Sequence, residues 1–136
     1  MRESPTGRSW WDRLRLALAV IRDYLVVRRQ LATAALPQAI VMAGAVPLSP
    51  GAHWPVRRLS RAVDHCLLIG PVRARCLVRA MVLYRLLRRQ GYRPQVVIGL
   101  PPSPDEPDAH AWVELDGHDV GPAPGRSGHD ELARYP

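Results

Sequence analysis

Lysine is absent from this 136-residue chain, so all 19 of its basic side chains are arginine. Cysteine is scarce as well: Cys66 and Cys76 are the full complement, too few to establish a disulfide framework. Those two thiols and five dispersed histidines show no metal-ligand spacing, which leaves no metal site and no cofactor to expect. Long apolar runs are missing too. Residues 16–21 form a stretch interrupted by Arg22 and Asp23, too short for a secretory signal core or a membrane span. Residues 31–55 carry no charge but are punctuated by Pro37, Gly44, Pro47, Pro50, Gly51 and Pro55. That punctuation predicts a short helix or turn at 38–43 and an exposed loop to Trp54, with a groove wall or partner-contacting patch as the alternative. No internal repeat is visible, and a cytoplasmic protein without a membrane span is the expectation.

What the chain does have is charge asymmetry. Residues 1–93 hold 17 arginines against four acids, whereas residues 94–136 hold two arginines against eight acids. Clustered guanidiniums are the footprint of phosphate binding. Yet there is no recognition-helix signature and no aromatic-interleaved basic strand, so nucleic acid is not expected as a partner. Arginine also shields apolar helix flanks and binds acidic segments, which makes a solvated basic face the plainer reading and an acidic-peptide docking surface the second.

The basic part reads as helical. Residues 1–8 are polar and expected to be frayed. Residues 10–29 follow as a first helix, capped by Ser9, with Trp11, Leu14, Leu18, Ile21 and Leu25 as its apolar stripe. Trp10 and Trp11 read most simply as core or edge packing. Residues 57–68 repeat the period through Leu59, Ala62, Val63, Cys66 and Leu67, and Gly70-Pro71 should end that helix. Cys66 falls on the apolar stripe as a core residue, and adjacent His65 points about 100° away, so the two form no dyad.

A third helix runs from Cys76 through Leu77, Ala80, Met81, Tyr84 and Leu87, with Arg88 and Arg89 in its last turn and Gly91 as its stop. Cys76 therefore sits at the helix start, where unpaired N–H groups and the positive dipole end favour thiolate over thiol. The same N–H groups can stabilise an acyl oxyanion. Next comes a short strand at 95–99, bounded by Pro94 and Pro101 and reading as buried on both faces. Residues 110–115 alternate, with His110, Trp112 and Glu114 on one face and Ala111, Val113 and Leu115 on the other. Asp116-Gly117 is a hairpin turn, and 118–121 the return strand. A thiol at a helix start and an imidazole on a nearby strand are the minimum parts of a cysteine nucleophile and its base, although a lone strand histidine is more often a partly exposed polar residue. The tail, 121–136, reads as a surface strap with a possible turn of helix at 130–134 and a mobile end from about 125.

The run CLVRAMVLYRLLRRQG from Cys76, then VVIGL from Val96, then AHAWVELDG from Ala109, resembles the transglutaminase-like cysteine peptidases of lasso peptide biosynthesis, which remove the leader from the precursor. The resemblance covers about 76–121 and is looser upstream; the combined spacing is specific, whereas HAWVE alone is shared more widely. It implies Cys76 as nucleophile, His110 as base and no cofactor. It also implies the precursor leader peptide as substrate, with a separate leader-recognition protein, and the lasso cyclase as a further candidate, as partners. Members usually place a carboxylate on the strand after the Asp-Gly turn, opposite the histidine; here that position is Pro122. Asp119 is the nearest substitute, with Asp116 close in sequence and Asp108, Asp130 and Glu131 behind it. A two-residue hairpin sets Asp119 against Glu114, about 13 Å along the strand from His110. Contact would need a bulge or a different loop, and a backbone carbonyl, a polar side chain or a bare Cys-His dyad are the alternatives.

The expected architecture is a single α+β domain over 1–136: N-terminal helices, then a Cys-bearing helix packed on a small antiparallel sheet, the transglutaminase/papain-like arrangement. Three functions remain in play: a leader peptidase, an acyltransferase with the same dyad, and a non-catalytic module that binds leader peptide or nucleic acid.

Overall fold

The computed structural model describes residues 5–48, 54–69, 76–100, 110–122 and 130–136. Four helices, α1 (Pro5–Thr33), α2 (Leu36–Gly44), α3 (Val56–Asp64) and α4 (Cys76–Arg89), precede or flank a four-stranded antiparallel sheet. Its strands are β1 (Gln95–Leu100), β2 (His110–Leu115), β3 (His118–Gly121) and β4 (Asp130–Tyr135), ordered β3-β2-β1-β4. The α+β class is as the sequence leads one to expect.

Helix α4 is the centre of the molecule. It touches α1, α2 and α3 as well as β1 and β2, so it is buried almost all round rather than along one stripe. Ala80, Met81, Tyr84 and Leu87 are buried as the periodicity predicts, but Val82, Leu83 and Leu86 are buried too. Even Arg79 is only 6% exposed, its guanidinium 3.9 Å from Asp64 of α3. At its C-terminus Gly91 (φ 93°) closes a Schellman motif: the Gly91 N–H donates to the Arg88 carbonyl at 3.0 Å and the Tyr92 N–H to the Leu87 carbonyl at 3.1 Å.

Helix α1 corrects two expectations. Its described part starts at Pro5, so 5–8 are helical and Ser9 lies inside the helix rather than capping it, while residues 1–4 lie outside the described residues. The stripe Trp11, Leu14, Leu18, Ile21 and Leu25 does not face the core; it faces solvent, with Trp11, Leu18 and Leu25 near 60% exposed. Trp10 and Trp11 are not core residues either, and pack edge-to-face on each other at 4.7 Å between centroids. The core face is instead Leu16, Val20, Asp23 and Val27. The reason is a buried ion cluster. Asp23 Oδ1 accepts Arg85 Nε at 2.9 Å and an Arg89 amino group at 3.1 Å, which turns the charged side of α1 inward onto α4.

Helix α2 appears where the proline punctuation allows it, with Pro at its first turn and Ala39, Ile40, Ala43 and Gly44 buried. The helix expected at 57–68 is α3 followed by a π-helical turn over His65–Ile69. Cys66 in that turn packs against the core half-buried, while His65 is exposed, so they share no site. Gly70-Pro71 and Pro101 lie outside the described residues, as does 125–129 of the tail.

The hairpin forms at Asp116-Gly117, both at positive φ (53° and 79°), the conformation a two-residue type I′ turn requires. The last element is the third correction. Residues 130–135 form a strand, not a turn of helix, pairing antiparallel with β1 from Leu100↔Asp130 to Val96↔Tyr135. Chemistry local to DELARY favours helix; the free edge of β1 outweighs it, and a β-bulge at Ile98/Gly99 absorbs the mismatch.

Candidate active site

Cys76 is the first residue of α4 and half-buried; His110 is the first residue of β2 and also half-buried. Topology relates them. The chain reverses from α4 into β1 within Gly91–Pro94, so β1 runs back along the helix it has just left. Helix α4 is about 21 Å long and β1 about 20 Å. Gly99, near the end of β1, therefore lies at the end of the layer where α4 begins. The antiparallel register pairs Gly99 with His110, which brings the first residue of β2 to that same end. Helix α4 packs on β2 through the face of Ala111 and Val113, which join its core cluster, while His110 alternates with Trp112 and Glu114 on the other face. The first-turn N–H groups of α4 have no intrahelical acceptor, so the positive end of the helix dipole is presented at Cys76.

Beside His110 strand β1 carries no side chain, because the partner across the ladder is Gly99. A Cβ on Gly99 would lie 2.6 Å from Trp112 Cη2, 2.8 Å from Cζ3 and 2.9 Å from the Asp130 carbonyl oxygen. The Trp112 indole thus lies across the backbone that pairs with His110, and it is fully buried. Its Nε1–H donates to Glu114 Oε2 at 2.8 Å, and Glu114, 2% exposed, takes Arg134 at 3.1 Å on its other oxygen. Arg134 also contacts Glu131 and donates to Gln95 Oε1 at 2.7 Å. Glu131 first, and then Glu114, raise the Arg134 pKa above its ordinary value. This carboxylate-arginine network ties β2, β1 and β4 together at the other end of the ladder, four positions along β2 from His110. The alternation of HAWVEL groups Glu114 with His110 and Trp112 on one face, but nothing local marks Glu114 as buried, because its partner comes from β4.

Asp119 stands where hairpin geometry sends it. The register pairs it with Glu114, and its Oδ1 accepts the Gly121 N–H at 2.8 Å. A bulge does occur in this ladder, at Val113/Glu114, but it falls beyond Asp119 and leaves that residue opposite Glu114, four positions from His110. Pro122 is buried. Asp116 is in the turn at the far end of β2, while Asp130 and Glu131 lie on β4 beyond β1; Asp108 is outside the described residues.

Cys66, the rival thiol, has its pKa raised by burial and sits in the turn after α3. Among the described residues no group of three or more His, Cys, Asp or Glu is arranged to hold a metal ion, and no helix is long and apolar enough to cross a membrane. A cavity of about 360 Å³ is lined by Arg88, Arg93, Pro94, Gln95, Asp116, Gly117 and Pro136. It lies at the start of β1 and the β2–β3 turn, the opposite end of the layer from Cys76 and His110, so it is not part of the thiol-imidazole arrangement.

Neither a curated protein nor a solved structure matches the chain significantly. A family model described as the transglutaminase-like superfamily matches residues 11–133, nearly the whole length, from within α1 to within β4. A cysteine opening the central helix, a histidine opening the strand that packs on it, and this match together show that the chain belongs to the transglutaminase-like superfamily, whose chemistry is that of cysteine peptidases and acyltransferases.

Proposed function

We propose that this protein is a cysteine peptidase that removes the leader from a ribosomally made lasso peptide precursor, with Cys76 as nucleophile and His110 as base. The observation that carries the reading is the common end of the α4–sheet layer shared by the start of α4 and the start of β2. Family membership supports the chemistry. The resemblance over 76–121 supports the substrate.

In this mechanism His110 takes the Cys76 proton and the thiolate attacks the scissile carbonyl. The N–H groups of the first turn of α4 stabilise the oxyanion, which requires no reorganisation because they are fixed by the helix. His110 returns the proton to the departing amine, leaving a thioester. It then activates water to release a free carboxyl terminus and restore the thiol. Asp119 is not needed for these steps; the dyad acts with the helix dipole, and a separate leader-recognition protein delivers the substrate.

The test is precursor peptide incubated with protein and followed by mass spectrometry. Two fragments whose masses sum to precursor plus one water, absent with Cys76→Ala, are the expected result. A product lacking the free carboxyl terminus would assign the same dyad to acyl transfer, and cleavage retained by a folded Cys76→Ala protein would remove Cys76 from the chemistry.

A further inference from the structure

The outward face of α1 has a pattern finer than an apolar stripe. Trp11, Leu14, Leu18, Ile21 and Leu25 recur at alternating steps of three and four, the a and d positions of a heptad, and all five are exposed, from 36% for Ile21 to 61% for Leu18. The e position is arginine in every heptad: Arg15, Arg22 and Arg29, each exposed. Trp10 at the preceding g position is 59% exposed and extends the apolar end. The two tryptophans alone leave on the order of 200–300 Å² open, and with the four aliphatic residues the patch reaches the largest found on an ordinary monomer. No acid stands on this face. Asp12 pairs with Arg58 and Asp23 is buried under α4.

We infer that this face is a docking seam for an amphipathic helix of a partner protein, one with its own apolar a/d positions and with Glu or Asp flanking them. A strict a/d stripe flanked by charge is the geometry of helix–helix packing at a shallow crossing angle, narrower than the broad apolar face of a helix lying in a lipid surface. Charge chooses the partner. A second copy packed antiparallel would set Arg15, Arg22 and Arg29 against their own counterparts, and one packed parallel would offer them Trp10, Ala17 and Tyr24; neither supplies a carboxylate. An acidic-flanked helix supplies one to Arg15 and Arg29, and a second to Arg22 beside the Asp23 carboxylate it already reaches at 3.5 Å. The proposal stands apart from the peptidase reading, because the seam faces away from α4 and uses none of its chemistry.

The test uses the full chain and two fluorescent three-heptad peptides, both with Leu at a and d, one with Glu and one with Lys at e and g. Anisotropy should show the Glu peptide binding and the Lys peptide at least about tenfold weaker. Leu18→Glu with Leu25→Glu should weaken the Glu peptide by at least about tenfold, the scale of losing buried anchors, with thermal melting unchanged because both positions are exposed. Arg15→Glu with Arg29→Glu should reverse the preference between the peptides. Equal binding of both peptides, or of neither, overturns the inference. So does binding confined to vesicles containing phosphatidylglycerol, or a wild-type dimer in sedimentation that Leu18→Glu dissolves.

Discussion

Removing the Asp23 carboxylate should loosen the helical half of the protein about as much as truncating a buried apolar side chain on α1. Asp23 is fully buried, and its Oδ1 holds Arg85 at 2.9 Å and Arg89 at 3.1 Å, with Arg22 at 3.5 Å. Asp23→Ala leaves two guanidiniums with side chains only 13% and 15% exposed and without their anion. Breaking a buried pair in this way costs about 3–5 kcal/mol. The lower end applies here, because Arg85 still reaches the Ala43 carbonyl at 3.4 Å and both side chains keep some exposure. At roughly 3–4 °C per kcal/mol for a chain of this size, a loss of about 3 kcal/mol lowers the melting midpoint by about 10 °C. Asp23→Asn keeps an acceptor but trades charge-assisted hydrogen bonds for neutral ones, and should cost about 1–2 kcal/mol. Replacing the whole cluster, Asp23→Leu with Arg85→Met and Arg89→Met, should recover most of the loss, since apolar packing substitutes well for a desolvated ion cluster. Urea unfolding followed by circular dichroism measures all three. An Asp23→Ala protein within about 1 kcal/mol of wild type would refute the argument, by showing that the cluster does not hold α1 to α4.

The remaining predictions are narrower. Cys76→Ala should abolish precursor cleavage with little change in stability, whereas Cys66→Ala should cost up to about 1–2 kcal/mol and leave the rate intact; peptide mass and urea midpoints separate them. Because burial raises the Cys66 pKa, its contribution to stability is whole below the ordinary thiol range and is lost as pH rises through the raised value, so iodoacetamide at neutral pH should label it slowly in the fold and quickly in urea. Asp119→Asn should lower the cleavage rate only slightly; a fall of orders of magnitude would mean that the carboxylate reaches the imidazole despite the register. Gly99→Ala should destabilise by about 1–3 kcal/mol, because the new methyl meets the buried Trp112 ring at 2.6 Å and the Asp130 carbonyl at 2.9 Å, and unchanged melting would refute that contact. Cleavage should be slow with the chain alone and faster with a separate leader-recognition protein; equal rates would contradict that partnership.

The elements whose signals are local were legible. The Asp116-Gly117 turn set the hairpin register, and that register alone put Asp119 opposite Glu114. Gly91 after a double arginine marked the end of α4, and the short reversal that follows is what returns β1 antiparallel to the helix, with His110 paired to Gly99 near its end. These inferences needed only a turn type, a cap and the rule that antiparallel neighbours run back along each other. Cys66 was separable from Cys76 by helical period, since one falls on an apolar stripe and the other opens a helix.

The misread elements have a common physical cause, which is arginine bound to a carboxylate far away in sequence. Periodicity assigns the core face of α1 to its uncharged side, and that assignment fails because Asp23 is matched by Arg85 and Arg89 more than sixty residues later. The tail reads as a surface strap with a turn of helix at 130–134, yet Arg134 pairs with Glu114 inside the sheet and the segment lies on β1 as a strand. In each case a charge on one element is evidence of exposure only until its partner is known. A planar guanidinium, weakly hydrated and always charged, is the cation best able to follow a carboxylate into the interior. A chain that has arginine and no lysine is therefore one in which charge is an unusually poor guide to which face is wet. The exposed heptad of α1 follows from the same inversion: once the ion cluster has taken the inner face, the apolar seam is left outside.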